Sequence, residues 1–148
     1  MYEAARAEHY KKVIEPALRD KKWVLCDRFT DSTLAYQGAA RGLDTKMIVK
    51  LNDFATEGRQ PDITILLDLP VEVGLARAKD PNKFEAEGIA FQNKVRKAYH
   101  ALAKKDPKRF EVIPVEGASP EEVCQMAVIA IVEKAQALKA QAAKGKKK

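Results

Sequence analysis

Apolar positions along the chain fall into two rhythms, and the alternation between them predicts helices and short buried strands in turn. Residues 2–19 place Ala5, His9 or Tyr10, Val13 and Ala17 at helical spacing. Pro16 should kink or restart that helix, because it has no N–H and crowds the preceding turn. Trp23-Val24-Leu25-Cys26 is a short continuous apolar run, the pattern of a strand buried on both faces of a parallel sheet. A short amphipathic segment follows, stopped by Gly38, and residues 39–43 read as a turn. Helical spacing returns over residues 46–56, with Ile48, Leu51 and Phe54 or Ala55 inward, until Gly58-Arg59-Gln60-Pro61-Asp62 breaks it.

Ile63-Thr64-Ile65-Leu66-Leu67-Asp68-Leu69 is a second buried strand, and Pro70 suits the first turn of a helix over residues 71–78. The polar stretch Lys79-Asp80-Pro81-Asn82-Lys83 leads to a helix over residues 85–104, with Phe91, Val95, Ala98 and Leu102 on its inner face. Phe110-Glu111-Val112-Ile113-Pro114-Val115 is a third strand, where Pro114 marks an end or an edge. Ser119-Pro120-Glu121-Glu122 has the form of a capping box with proline in the first helical position. The helix it opens carries Val123, Ala127, Ala130 and Ile131 and frays into an Ala-, Gln- and Lys-rich tail.

Strands alternating with helices predict an α/β fold with a parallel sheet. The 148 residues suffice for one domain of ordinary size, here residues 1–140, followed by a basic tail at 141–148. No apolar run is long enough to cross a bilayer, so no membrane partner is expected. Met1-Tyr2-Glu3-Ala4-Ala5-Arg6 carries no signal-peptide pattern and starts directly inside a helical pattern, as a truncated domain would. Cys26 and Cys124 are the only thiols and read as small core hydrophobes in a reducing cytosol, giving a cytoplasmic expectation. The formal net charge of +6 is carried by Lys134, Lys139, Lys144, Lys146, Lys147 and Lys148, a stretch without acids, so the rest of the chain is neutral. A basic face for nucleic acid therefore has no footing on the fold. Binding through the tail stays open as a third class of function, although such tails are usually solvated.

Asp27 and Arg28 stand where the first strand should end, the place where parallel sheets bind ligands. An acid and a guanidinium there point to an anionic ligand; the alternative is a structural ion pair. Tyr2 and Arg6 are four apart and share a helix face. They could stack on a planar ligand and bond its edge, or simply pack. The basic loop from Lys79 to Lys83 is either a mobile lid or a solvated hairpin. His9 and His100 lie far apart, and no metal cluster, Ser/His/Asp order or Cys/His pair offers itself.

In sequence order, Tyr2-x-Ala4-Ala5-Arg6, Val13-Ile14-Glu15-Pro16-Ala17-Leu18, Asp27-Arg28-Phe29, Ala35-Tyr36-Gln37-Gly38, Arg41-Gly42, Pro61-Asp62-x-Thr64-x-x-Leu67-Asp68 and Val73-Gly74-Leu75-x-Arg77-Ala78 resemble the bacterial thymidylate kinases, which phosphorylate dTMP. The resemblance runs from Met1 to about Val132. It implies a three-layer P-loop-kinase-like fold lacking its first βαβ portion. It gives Tyr2 the place of the ring that stacks on thymine and Arg6 that of the arginine on the base edge. Asp27 and Arg28 match the pair near the phosphates, Arg28 holding the acceptor phosphate. Ser32 and Thr33 line the base, Tyr36 sits under the deoxyribose, and Gln37 adds a polar contact. Arg77, Lys79 and Lys83 fall in the lid region, near residues 77–85, with Arg77 placed among the catalytic groups. The cofactor implied is Mg2+ with ATP, and dTMP is the implied substrate.

This sequence departs from the family in two places. It contains no G-x-x-x-x-G-K-[ST], the loop that holds ATP phosphates, and its lid is shorter and leans on lysine, which lacks the guanidinium fork. In the family the P-loop strand lies between those corresponding to Val24 and Ile65. Its absence should leave apolar faces exposed, a liability for a monomer, so a homodimer is a further expectation. The reading is the dTMP side of a dTMP kinase, inactive alone. The alternatives are a non-catalytic nucleotide-binding or interaction module, or another deoxynucleotide kinase.

Overall fold

The computed structural model describes residues 2–77 and 88–145. In chain order its first elements are α1 (Tyr2–His9), a π-helical segment (Tyr10–Ile14), α2 (Glu15–Arg19), α3 (Thr30–Thr33), a second π-helical segment (Leu34–Ala40) and α4 (Thr45–Thr56). They are followed by β1 (Thr64–Asp68), α5 (Val71–Arg77), α6 (Gly88–Lys105), β2 (Phe110–Pro114) and α7 (Pro120–Gly145). The chain divides into two compact units, residues 1–60 with 90–102, and residues 61–89 with 103–148.

In the first unit, α1 and α2 form one helical run with a widened turn between them, where the Glu15 N–H reaches back to Tyr10 O. Pro16 explains the widening: it sits in the first turn of α2 and cannot donate to the turn before it. The widened turn also shifts the buried face. Tyr10 and Ile14 are buried, whereas Val13, expected inward, is exposed.

The expected first strand is not formed. Residues 22–26 make no ladder, and among the described residues the sheet has two strands, not three. The stretch keeps a strand's alternation, since Trp23 is 76% and Leu25 95% exposed while Val24 and Cys26 are half-buried. A strand exists only through its neighbours' hydrogen bonds, and none runs beside this one among the described residues.

Gly38 does not stop its helix. It lies buried inside the second π-helical segment, which runs on to Ala40 and is closed by the Arg41 N–H bonded to Tyr36 O at 3.1 Å. A Cβ on Gly38 would lie 3.4 Å from both Ile48 Cδ1 and Thr45 Oγ1, so the glycine lets this segment approach α4 closely. The side chain of Asp44 caps α4 through the Lys46 N–H at 2.8 Å, and Glu57 ends it at φ 52°. The buried face of α4 is Ile48, Asn52, Ala55 and Thr56; Leu51 and Phe54, expected inward, are exposed. The apolar core of this unit is Ala35, Ala40 and Val95, with Tyr36, Phe91, Ala98 and Tyr99 packed around it.

In the second unit β1 and β2 run parallel, registered from Thr64↔Phe110 to Asp68↔Pro114. Ile113, Val115 and Ala130 form its buried core, joined by Ile65, Leu69, Val123, Met126 and Ala127. The capping box forms as the sequence predicts, with Glu122 N–H on Ser119 Oγ at 3.2 Å and Ser119 N–H on Glu122 Oε2 at 2.7 Å. Lys134 is not free tail charge: its Nζ bonds the carbonyls of Pro107, Lys108 and Phe110 at 2.9–3.1 Å, tying α7 to the turn before β2.

Candidate functional site

Arg28 turns the chain between the extended stretch and α3. Its φ is 61°, in the left-handed region that an L side chain enters only at a cost of about 1 kcal/mol. The turn carries its guanidinium over the Tyr36 ring, 5.2 Å from the centroid. Arg28 and the neighbouring Asp27 are both exposed. The arrangement leaves a guanidinium, held on an aromatic face, at an exposed residue that follows Asp27 in the chain. Such a group can take an oxyanion through two parallel N–H bonds.

Arg6 is placed differently. Its Nη1 donates to Glu3 Oε2 at 2.6 Å and Asn52 Oδ1 at 2.7 Å, and its Nη2 to Thr33 Oγ1 at 2.8 Å and Phe29 O at 3.4 Å. The guanidinium also lies 5.7 Å from the Phe29 ring centroid. Arg6 thus links α1, α3 and α4. Asn52, 2% exposed, completes the link by donating to Thr30 O at 3.4 Å. Asn52 and Thr30 were not anticipated. The one signal for Asn52 is a polar residue one turn after Ile48, where an apolar stripe would continue.

Ser32 and Thr33 lie together on α3, with Thr33 turned to Arg6. Tyr36 packs its ring against Phe91, centroids 6.2 Å apart and planes at 54°, and Arg41 covers Phe91 at 5.5 Å. Gln37 is half-buried in the same π-helical segment, and its carbonyl accepts the Leu43 N–H at 3.1 Å. A third residue absent from the sequence expectations, Tyr99 of α6, meets Ser32 with 2.7 Å between hydroxyl oxygens. Burial pushes the Tyr99 hydroxyl up from its usual pKa, so it keeps its proton. Burial and the Asp27 carboxylate likewise push the Cys26 thiol up, consistent with an inert thiol.

Tyr2 is 63% exposed at the head of α1. Arg77 is exposed at the end of α5, in the second unit. Lys79 and Lys83 lie outside the described residues. The first unit therefore brings together Arg6, Arg28, Ser32, Thr33, Tyr36 and Gln37, with Tyr2 one turn before Arg6. Among the described residues no cluster of three His, Cys, Asp or Glu side chains is placed to hold a metal ion, and no helix is long and apolar enough to cross a membrane.

The first unit turns an arginine out where an extended stretch ends, and the second carries a parallel pair of strands between helices. The thymidylate kinase family model matches residues 1–127. The chain is 47% identical over 141 residues to a thymidylate kinase of Geotalea uraniireducens (strain Rf4), covering 89% of this chain and 65% of that relative. It is 54% identical over 123 residues to one from Synechococcus sp. (strain JA-2-3B'a(2-13)), covering 83% of this chain and 59% of the other. The crystal structure of thymidylate kinase from Ehrlichia chaffeensis superposes with a TM-score of 0.67 at 35% identity, over 88% of this chain and 61% of that one. The chain belongs to the thymidylate kinase family. It spans about two-thirds or less of the length of these relatives.

Proposed function

We propose that this chain forms the acceptor side of a dTMP kinase, binding dTMP for phosphorylation to dTDP in dTTP synthesis. The observation that carries the reading is the left-handed turn at Arg28, which holds a guanidinium out over Tyr36 within one turn of Ser32 and Thr33. Phosphoryl transfer rests on positioning and on positive charge beside the phosphates. Arg28 supplies that charge to the acceptor phosphate, with Asp27 beside it. Tyr2 offers a ring for the pyrimidine and Tyr36 one for the deoxyribose. Arg6 reaches the base edge by exchanging the Glu3 carboxylate, the more exposed of its two closest acceptors. Gln37 adds a polar contact, and Arg77, Lys79 and Lys83 belong to the lid.

The G-x-x-x-x-G-K-[ST] loop that would hold the ATP phosphates is absent from this sequence. The chain as given is therefore expected to bind dTMP in the cytoplasm without turning it over. Calorimetric titration with dTMP, thymidine, dUMP and dCMP tests the reading. The expected order has dTMP tightest and thymidine weaker by about tenfold or more, since it lacks the phosphate. Equal affinity for thymidine and dTMP, or no binding of either, overturns it.

A second reading rests on Trp23 and Leu25, whose exposed side chains line an extended stretch without a ladder partner among the described residues. It makes the chain an interaction module that receives a strand from another polypeptide. A polypeptide carrying the P-loop strand that restores dTMP turnover favours the first reading. One that binds without restoring turnover favours the second.

A further inference from the structure

Tyr99 of α6 is a half-buried tyrosine of the first unit whose hydroxyl none of the proposed ligand contacts uses. Its ring packs against the Ala35, Ala40 and Val95 core, which fixes its direction. Its oxygen lies 2.7 Å from Ser32 Oγ, on the helix that carries Thr33 and leads into Tyr36. The geometry allows either hydroxyl to donate, but acidity decides between them. A phenol is a far stronger acid than an alcohol and so the better donor. Burial, opposed by the Ser32 bond and the charge of Arg28, keeps the phenol protonated and able to donate. With one lone pair of Ser32 Oγ taken by Tyr99, the single hydrogen of Ser32 has to point elsewhere.

We infer that Tyr99 is a positioning residue for nucleotide binding: its hydroxyl donates to Ser32 Oγ and turns the Ser32 hydrogen outward, fixing Ser32 as a donor to a carbonyl oxygen of the bound pyrimidine. The inference rests on the dTMP-binding reading above. It assigns α6 a part in recognition that its apolar face does not announce. It also explains why a tyrosine stands where phenylalanine would fill the same core position.

The test is a double-mutant cycle on the full chain with dTMP, using Tyr99→Phe, Ser32→Ala and both together, each also melted without ligand. Tyr99→Phe keeps the ring and its packing, so melting should change little. Its dTMP affinity should fall about fivefold, Ser32→Ala should fall as much, and the double variant no further. A Tyr99→Phe chain that binds dTMP like the wild type overturns the inference and leaves the dTMP reading standing. So does a loss that adds fully to that of Ser32→Ala, the mark of a purely structural hydroxyl. A wild-type chain that does not bind dTMP removes the dTMP reading, and this inference with it.

Discussion

Arg28 holds a backbone conformation that glycine adopts more readily, and the strained position falls at the residue to which the phosphate contact is assigned. Strain that a fold maintains in this way commonly marks a functional group that has to be aimed. Arg28→Gly should therefore separate folding from binding. Urea unfolding should show stability unchanged or raised by up to about 1 kcal/mol, as relief of the turn offsets the lost ring contact, while dTMP affinity is lost. Arg6 makes the opposite case, a charged group whose contacts lie inside the protein. Asn52→Leu keeps the branched shape of the side chain but removes an acceptor from a partly buried guanidinium and strips a donor from Thr30 O. It should cost about 2 kcal/mol in the same experiment. The Asp27-Arg28 pair was legible because charges interrupt an apolar run. The left-handed turn was not, since nothing in the residue type of Arg28 announces it. Nor were Asn52 and Tyr99, whose partners are distant in sequence and become visible only when α1, α3, α4 and α6 pack together.

Local rules carried the elements where the determinants are local. β1, β2 and the Ser119–Glu122 box all follow from short-range chemistry and stand where their residues place them. The failures are cases where the determinant is elsewhere. Pro16 widens the turn before it, so the helical phase read from regular spacing buries Tyr10 and Ile14 instead of Val13. On α4 the inward stripe passes through Asn52 and Thr56, kept polar to hold Arg6 and the helix backbone, and a rule that seeks apolar residues shifts to Leu51 and Phe54. The run from Trp23 to Cys26 has strand chemistry and no ladder partner among the described residues, and side-chain pattern alone cannot supply one. The capping box carries a pH prediction. Its hydrogen bonds, first the one from the Ser119 backbone N–H, hold the Glu122 carboxyl below its ordinary value. A carboxylate lowered in the folded state adds stability above its unfolded pKa and loses it as pH falls through the folded one. Glu122→Gln should lower the melting temperature at neutral pH, and the difference from wild type should shrink on acidification below the ordinary carboxylate range.

Across the whole molecule, the charge excess lies in the lysine-rich C-terminal stretch and the apolar excess lies on the surface. Leu43, Met47, Leu51 and Phe54 are all exposed, Phe54 to 84%, and Met47, Leu51 and Phe54 recur along one outward face of α4. Apolar stripes of this kind on soluble chains mark contact surfaces, and pairing of two copies through it is the proposal for this one. Phe54→Glu should shift sedimentation toward the monomer without unfolding the chain; a wild-type chain already monomeric at micromolar concentration would contradict it. The α/β class and the family were legible in the sequence, because many short motifs occur in one order, whereas the element order departs from expectation at the first strand. The exposed face of Trp23 and Leu25 was legible only as a consequence of the absent P-loop strand. The central claim is that Arg28 holds the phosphate of dTMP, and calorimetry of Arg28→Ala against the wild-type chain tests it most directly. dTMP affinity should fall by about tenfold or more while thymidine affinity is unchanged, because only dTMP carries the phosphate. Equal loss for both ligands, or no loss for either, would contradict it.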